Sequence, residues 1–239
     1  MSTDRSRQPE RSSGSDNAIY QAVFDAVMTH RLPPGTKLTE ATLGKLFGVS
    51  RTVVRQALQR LAHENIIELR LNRSAVIASP SVQETRDVFA ARRVIESAVI
   101  RSLTAGLPAP QLAELRQLTE TEKQAFTQGD QRRCLQLSGA FHLRLAALAP
   151  NQVLARFLSE LVSRSSLMLA LYETPGTSTC AMDDHGAIID LIENGNIEAA
   201  VAAMEQHLKQ CENQLQLENK NKPIDLAETG QSRLAGAGK

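Results

Sequence analysis

Residues 38–61 read LTEATLGKLFGVSRTVVRQALQRL, and the rest of the chain is best read outward from this stretch. Apolar residues recur at helical spacing on both sides of Gly48-Val49. Leu43, Leu46 and Phe47 form the inward face of one short helix, and Val54, Leu58 and Leu61 that of a second. Gly48 can take the positive φ that ends a helix abruptly, and Ser50 is a good cap for the next one. From Ser50 onward the second helix carries Arg51, Arg55 and Arg60 and meets no acid before Glu64. Arg51 and Arg55 share one face, Thr52 can donate to a phosphate, and Gln56 can pair with a base edge. A short helix, a glycine turn and a basic helix make a helix-turn-helix, whose second helix enters the DNA major groove. Taken alone, the same pattern also fits an ordinary amphipathic helix pair with solvated arginines.

The flanks extend the motif. After Glu64-Asn65, the segment IIELRLNRSAVIAS holds two β-like runs, Ile66-Ile67 with Leu69 and Ala75-Val76-Ile77, turning at Asn72, Arg73 and Ser74. A two-stranded hairpin with arginine at its tip, placed after a recognition helix, is a wing. Upstream, Ile19, Val23, Ala26 and Val27 repeat at helical spacing until Leu32-Pro33-Pro34-Gly35 stops the helix.

LPPGTKLTE, then LGKLFGVSRTVVRQALQRLAHENIIE, then the wing, resemble the GntR family of bacterial transcription regulators over about residues 17–79. The pattern departs where the family has proline (here Val53), glutamate (here Gln56) and a wing-tip glycine (near Ser74). The resemblance implies DNA contacts at Ser50, Arg51, Thr52 and Arg55, with the wing contributing Asn72 and Arg73, and the amide of Gln56 adds a base-edge candidate on chemical grounds. One small winged module contacts only a half-site, so a homodimer on a palindromic double-stranded operator is expected.

Composition agrees. The 239 residues suit two domains, and no apolar run reaches membrane-spanning length. Three scattered cysteines, Cys134, Cys180 and Cys211, suit reduced thiols in a cytoplasmic protein. The net charge of +1 divides unevenly: residues 16–80 hold eight Lys/Arg against five Asp/Glu, and residues 81–239 hold sixteen against nineteen. The basic part carries the motif, as phosphate binding requires. Trp is absent and aromatics are few, which excludes a single-strand stacking platform.

The expected organisation is a disordered tail over 1–15, a winged helix-turn-helix domain over 16–79, a linker over 80–84 around Ser79-Pro80-Ser81, an all-helical domain over 85–218, and a flexible tail over 219–239. The last tail lacks a helical stripe, although Ile224-Asp225-Leu226 can dock back. Residues 83–218 divide into six amphipathic helices at Gly106-Leu107-Pro108, Gly129, Pro150, the loop ETPGTST and Gly195, which predicts an antiparallel bundle. The fold class is therefore mainly α, a winged helix-turn-helix followed by a helical bundle.

Three of the chain's five histidines fall in the bundle, His142, His185 and His207, each on a different helix. Imidazoles from three helices can meet inside a bundle and bind a divalent metal. Spacing alone favours satisfied core or surface histidines over a metal site, and Asp183-Asp184 serve equally well as helix N-terminal caps. AARRVIESAVIRSL, AFHLRLAALAPNQVL and DDHGAIIDLIENGNIEAAVAAMEQHL resemble the FCD effector domain of the FadR subfamily, over about residues 84–217. The resemblance implies a metal, zinc or nickel by ligand type, on His142, His185 and His207. The subfamily's aspartate ligand is here Ser138, which implies imidazoles without charge compensation and room for an anion. It further implies an effector cavity holding Arg92, Ser138 and Tyr172, with Arg92 gripping a carboxylate effector in a bidentate fork. The bland alternative is an Arg92–Glu96 surface pair, and the sequence leaves open whether Arg92 or Arg93 turns inward.

The function expected is a ligand-responsive transcriptional regulator, a repressor of a catabolic operon, and not an enzyme. Two other readings are a metal-dependent enzyme using the three histidines and a constitutive DNA-binding protein with a structural dimerisation bundle.

Overall fold

Burial of these apolar stripes organises the computed structural model into two units, with the boundary between Ser79 and Pro80. The structure describes residues 12–70, 74–103, 106–173, 184–216 and 226–234. The first unit opens with α1 (Ser12–Met28), which buries Ile19, Val23, Ala26 and Val27. α1 begins inside the segment expected to be a disordered tail, of which residues 1–11 lie outside the described residues. It is followed by β1 (Lys37–Thr39), α2 (Glu40–Phe47), α3 (Arg51–His63), β2 (Ile67–Arg70) and β3 (Ser74–Ile77).

The wing is one strand richer than the sequence suggests. The sheet order is β1-β3-β2, antiparallel throughout, with Leu38 opposite Ala75 and Leu69 opposite the same residue from the other side. β1 is only three residues long, too short to show alternation, and exists because β3 offers it a partner.

Local chemistry sets the helix ends. Thr39 Oγ1 accepts from the Thr42 amide at 3.1 Å at the start of α2, and Gly48, at φ 64°, ends that helix. Ser50 occupies the cap position of α3, but its hydroxyl makes no capping hydrogen bond, contrary to the role read from the sequence. Leu43 is buried as expected, whereas Leu46 and Phe47 are only half-buried. On α3, Val54, Ala57, Leu58 and Leu61 form the inward face.

The second unit is the predicted bundle: α4 (Val82–Arg101), α5 (Ala109–Thr127), α6 (Gln131–Leu148), α7 (Gln152–Tyr172), α8 (Asp184–Glu193) and α9 (Ile197–Asn213). α4 packs against α6, α7 and α9, α5 against α6 and α8, and α8 against α9. Leu115, Phe141, Leu145, Leu158, Ile188, Met204 and Leu208 share one core. Gly139 faces α7, where an added Cβ would lie 3.4 Å from Val162 Cγ1, an ordinary contact. Ser81, Asp130 and Asn151 cap α4, α6 and α7 through their side chains. Each fully buried Leu, Ile or Phe stabilises the fold by about 1.5–3 kcal/mol. A cap contributes about 1 kcal/mol. The stripes therefore hold the bundle, and the caps decide where each helix starts.

The C-terminal segment departs from expectation. α10 (Leu226–Leu234) forms where no helical stripe is legible, belongs to the first unit and packs on α1 and α2. Leu226 and Leu234 are buried, and Arg31 Nη1 donates to the Arg233 carbonyl at 2.8 Å. Two anchors at the ends of a nine-residue helix leave no repeating stripe to read; the receiving surface stabilises it.

Candidate functional site

On the winged unit, α3 presents Arg51, Thr52, Arg55 and Gln56 as exposed side chains on its first two turns, with Ser50 exposed just before them. Arg51 makes no ion pair among the described residues. Arg55 does, which corrects the expectation of an arginine without a nearby acid. Its Nε donates to Glu40 Oε1 at 3.0 Å and its Nη2 to Glu40 Oε2 at 3.2 Å. Glu40, in the first turn of α2, is buried, while Arg55 remains half in solvent. The pair raises the Arg55 pKa and aims the guanidinium without consuming its charge. Asn72 and Arg73, the expected wing-tip contacts, lie outside the described residues.

In the bundle the three histidines meet. One ring nitrogen from each of His142, His185 and His207 lies within 4.8 Å of the other two, and all three residues are buried. Each reaches this point from a different helix, α6, α8 and α9, because each sits on its helix's inward stripe. Phe141 stacks on His185 with ring centroids 4.2 Å apart.

Every imidazole is held from behind by a carboxylate. His142 Nδ1 lies 2.5 Å from Glu96 Oε2, His185 Nδ1 2.8 Å from Glu122 Oε2, and His207 Nδ1 3.3 Å from Asp184 Oδ2. This leaves the Nε2 atoms to face one another, those of His185 and His207 being 3.1 Å apart. A carboxylate on Nδ1 fixes the tautomer and ring plane and makes Nε2 a better metal donor. Burial holds His142 at about pKa 3 and His185 well below the usual histidine range. Both are therefore neutral, the state a metal requires. Burial opposes ionisation of Glu96, but Arg92 and His142 outweigh it and hold this carboxyl well below its usual range. Burial pushes Glu122 up to about 8, against the pull of His207 and the Ser138 hydroxyl. Glu122 Oε1 is buried with no hydrogen-bond partner among the described residues.

This arrangement corrects the expectation of imidazoles without charge compensation. Ser138 is buried one turn before His142, but three acids surround the trio from α4, α5 and α8. Glu96 and Asp184 are held ionised, while Glu122, pushed up to about 8, keeps its proton near neutrality until a cation draws it off. The donor set thus fits a divalent transition metal.

Arg92, not Arg93, turns inward. Its Nε donates to Glu96 Oε1 at 2.8 Å and its Nη1 to Ser165 Oγ at 3.0 Å, and the side chain is buried. Nη2 is 2.8 Å from the same Glu96 oxygen but makes no well-directed hydrogen bond. Arg93 pairs instead with Glu212 at 2.6 Å. The Arg92–Glu96 pair is neither a surface bridge nor a free fork awaiting a ligand: it belongs to the support of His142. Tyr172, expected in an effector cavity, is buried and donates from its hydroxyl to the Pro80 carbonyl at 2.9 Å.

Sequence reading missed Glu122 entirely, treated Asp184 as a cap residue and weighed Glu96 only as a partner for Arg92. Local spacing held no signal for Glu122, whose partner is 63 residues away.

Comparison with known proteins accounts for both units. Residues 16–77 match the bacterial regulatory proteins, gntR family, and residues 87–210 match the FCD domain. The HTH-type transcriptional repressor RspR of Escherichia coli is 26% identical over 195 residues, covering 80% of this chain and 85% of that protein. The Uxu operon regulator of Haemophilus influenzae is 26% identical over 193 residues, covering 73% of this chain and 72% of that protein. The solved structure of Escherichia coli McbR/YncC shares the fold with a TM-score of 0.62 at 18% identity, over 85% of this chain and 95% of that one. No helix among the described residues is long and apolar enough to cross a membrane. The chain therefore belongs to the GntR family of bacterial regulatory proteins with an FCD domain, and is a DNA-binding transcriptional regulator with an effector-binding domain.

Proposed function

We propose that this protein is a cytoplasmic homodimeric repressor of a catabolic operon, binding a palindromic operator through α3 and the wing. A divalent transition metal on His142, His185 and His207 forms the floor of its effector site. The observation that carries this reading is the trio of buried imidazoles, each fixed by a carboxylate on Nδ1. Ser50, Arg51, Thr52, Arg55 and Gln56, with Asn72 and Arg73 of the wing, are its DNA-contacting residues. The operon-level role is supported by the named relatives, one a repressor and one an operon regulator.

The effector is a small carboxylate. With Arg92 already paired to Glu96, recognition of that carboxylate falls to the metal rather than to the arginine, and Ser138 offers a hydroxyl beside it. A regulator rather than an enzyme is favoured because all three acids lie behind the imidazoles. None is left over the shared face where a general base would act.

Elemental analysis of untagged protein and operator titrations test the reading together. About one equivalent of metal in the wild type is expected, lost in His185→Ala. A DNA site selected from a random duplex pool should be palindromic, and a carboxylate that raises the thermal stability of metal-loaded protein should change affinity for it. Protein that holds no metal even after zinc is supplied would sink the proposed centre. A selected site without two-fold symmetry would sink the homodimeric mode.

A further inference from the structure

We infer that Cys211 is a fourth protein ligand of the histidine centre, so that a metal there is held by three imidazoles and one thiolate. This rests on the metal reading above and narrows it to thiophilic ions that are tetrahedral without effector and expand to five-coordinate when the carboxylate binds. Cys211 follows His207 by four residues on α9 and so lies on the same face one turn further on. It is buried, and its Sγ is 3.8 Å from His207 Nε2, the nitrogen turned toward the other histidines. In a tetrahedral zinc site with Zn–N of about 2.0–2.1 Å and Zn–S of about 2.3 Å, neighbouring N and S ligands stand about 3.6 Å apart. Two such nitrogens stand about 3.4 Å apart. The His185–His207 separation of 3.1 Å and the Cys211–His207 separation of 3.8 Å both sit near these spacings.

Among the described residues, the other polar side chains near the trio are otherwise engaged. Glu96, Glu122 and Asp184 are engaged on the Nδ1 side, away from the shared face. Ser138 brings a neutral hydroxyl. Cys134 packs with Ala125 and Leu137. Cys211 touches an imidazole nitrogen instead. Cys211 Sγ stands at the His207 corner, outside the 4.8 Å within which the three histidine nitrogens lie of one another, so coordination must draw it toward His142 and His185. On binding, the thiol releases its proton to solvent and the metal takes the thiolate. A soft donor then selects zinc or cobalt(II) over manganese or magnesium.

Cobalt(II) titrated into the full-length, metal-free protein reads this directly. The wild type should show visible ligand-field bands of tetrahedral strength together with a near-ultraviolet sulfur-to-cobalt charge-transfer band. Cys134→Ser and Cys180→Ser should keep both. Cys211→Ser should lose the near-ultraviolet band, keep the visible ones and bind cobalt at least roughly tenfold more weakly. In the wild type, zinc should protect one thiol from alkylation, and mass mapping should place it at Cys211, a readout that does not depend on the variant folding. Visible bands without the near-ultraviolet band, or a charge-transfer band that survives Cys211→Ser, overturn the cysteine ligand and leave the three-histidine centre standing. No cobalt bound by the wild type overturns both.

Discussion

Glu40 and Arg55 are 15 residues apart and meet through two charge-assisted hydrogen bonds. Arg51, one turn earlier on the same helix face, has no such support. The two arginines should therefore fail differently. Arg51→Ala should cost about 1–3 kcal/mol of operator affinity if it reads a base, and should lower the salt slope if it touches phosphate. Glu40→Gln should loosen Arg55 and weaken operator binding less than Arg55→Ala does, as read by fluorescence anisotropy on a selected site. Equal, unchanged affinity in all three variants would remove α3 from the DNA interface. Capping gives a second contrast at this scale. Ser81 Oγ accepts from the Glu84 amide at 3.0 Å, so Ser81→Ala should cost about 1 kcal/mol of stability. Ser50, whose hydroxyl caps nothing, should tolerate alanine within about 0.5 kcal/mol. Denaturant titration separates the two, and a larger loss at Ser50 would mean that its hydroxyl has a structural partner after all.

Among the elements, α4 joins the centre to the rest of the bundle. It carries Arg92 and Glu96, packs on α6, α7 and α9, and begins directly after the Pro80 carbonyl that Tyr172 holds. Arg92 is thereby a poor probe of effector binding. Arg92→Ala strands a buried carboxylate and should destabilise the protein by about 3–5 kcal/mol whatever the effector does. Glu96→Gln isolates the chemistry better: it keeps the volume and a hydrogen-bond acceptor but loses the charge behind His142. Metal affinity should fall about 10–100-fold, measured by competition with a chromophoric chelator, and unchanged affinity would deny Glu96 its positioning role. α10 offers a test at the same scale. A chain ending before Leu226 should show a lower melting temperature for the winged unit, because the surface under Leu226 and Leu234 becomes exposed.

For the whole molecule, the centre draws on α4, α5, α6, α8 and α9 at once, so a bound metal should tie the bundle together. At a free metal concentration of about 100 times Kd, the native state gains about 2.7 kcal/mol by mass action. Chelation should lower the melting temperature of the bundle reversibly, and His185→Ala should abolish the difference between chelated and zinc-loaded samples. A melting temperature indifferent to both chelator and zinc would argue that the trio is only packed core. Coupling to DNA follows the same thermodynamics: if metal or effector changes operator affinity, operator must change metal or effector affinity by the same factor.

The recognition helix, its glycine turn, the six bundle helices and the placing of one histidine on each of three of them were all legible in the chain. They rest on local rules: helical spacing of apolar residues, a positive-φ glycine at position 48, and arginines and histidines at readable positions on those helices. Family resemblance supplied the union of the histidines, which spacing alone left open. What lay beyond the sequence were contacts between elements far apart in it. The third strand, the Glu40–Arg55 fork, the choice of Arg92 over Arg93, the acids behind each imidazole and the docking of α10 all depend on a partner supplied by another element. A buried polar group leaves no periodic trace along the chain. Whether it is isolated and costly or paired and useful is decided only when a second helix brings its partner within hydrogen-bonding distance.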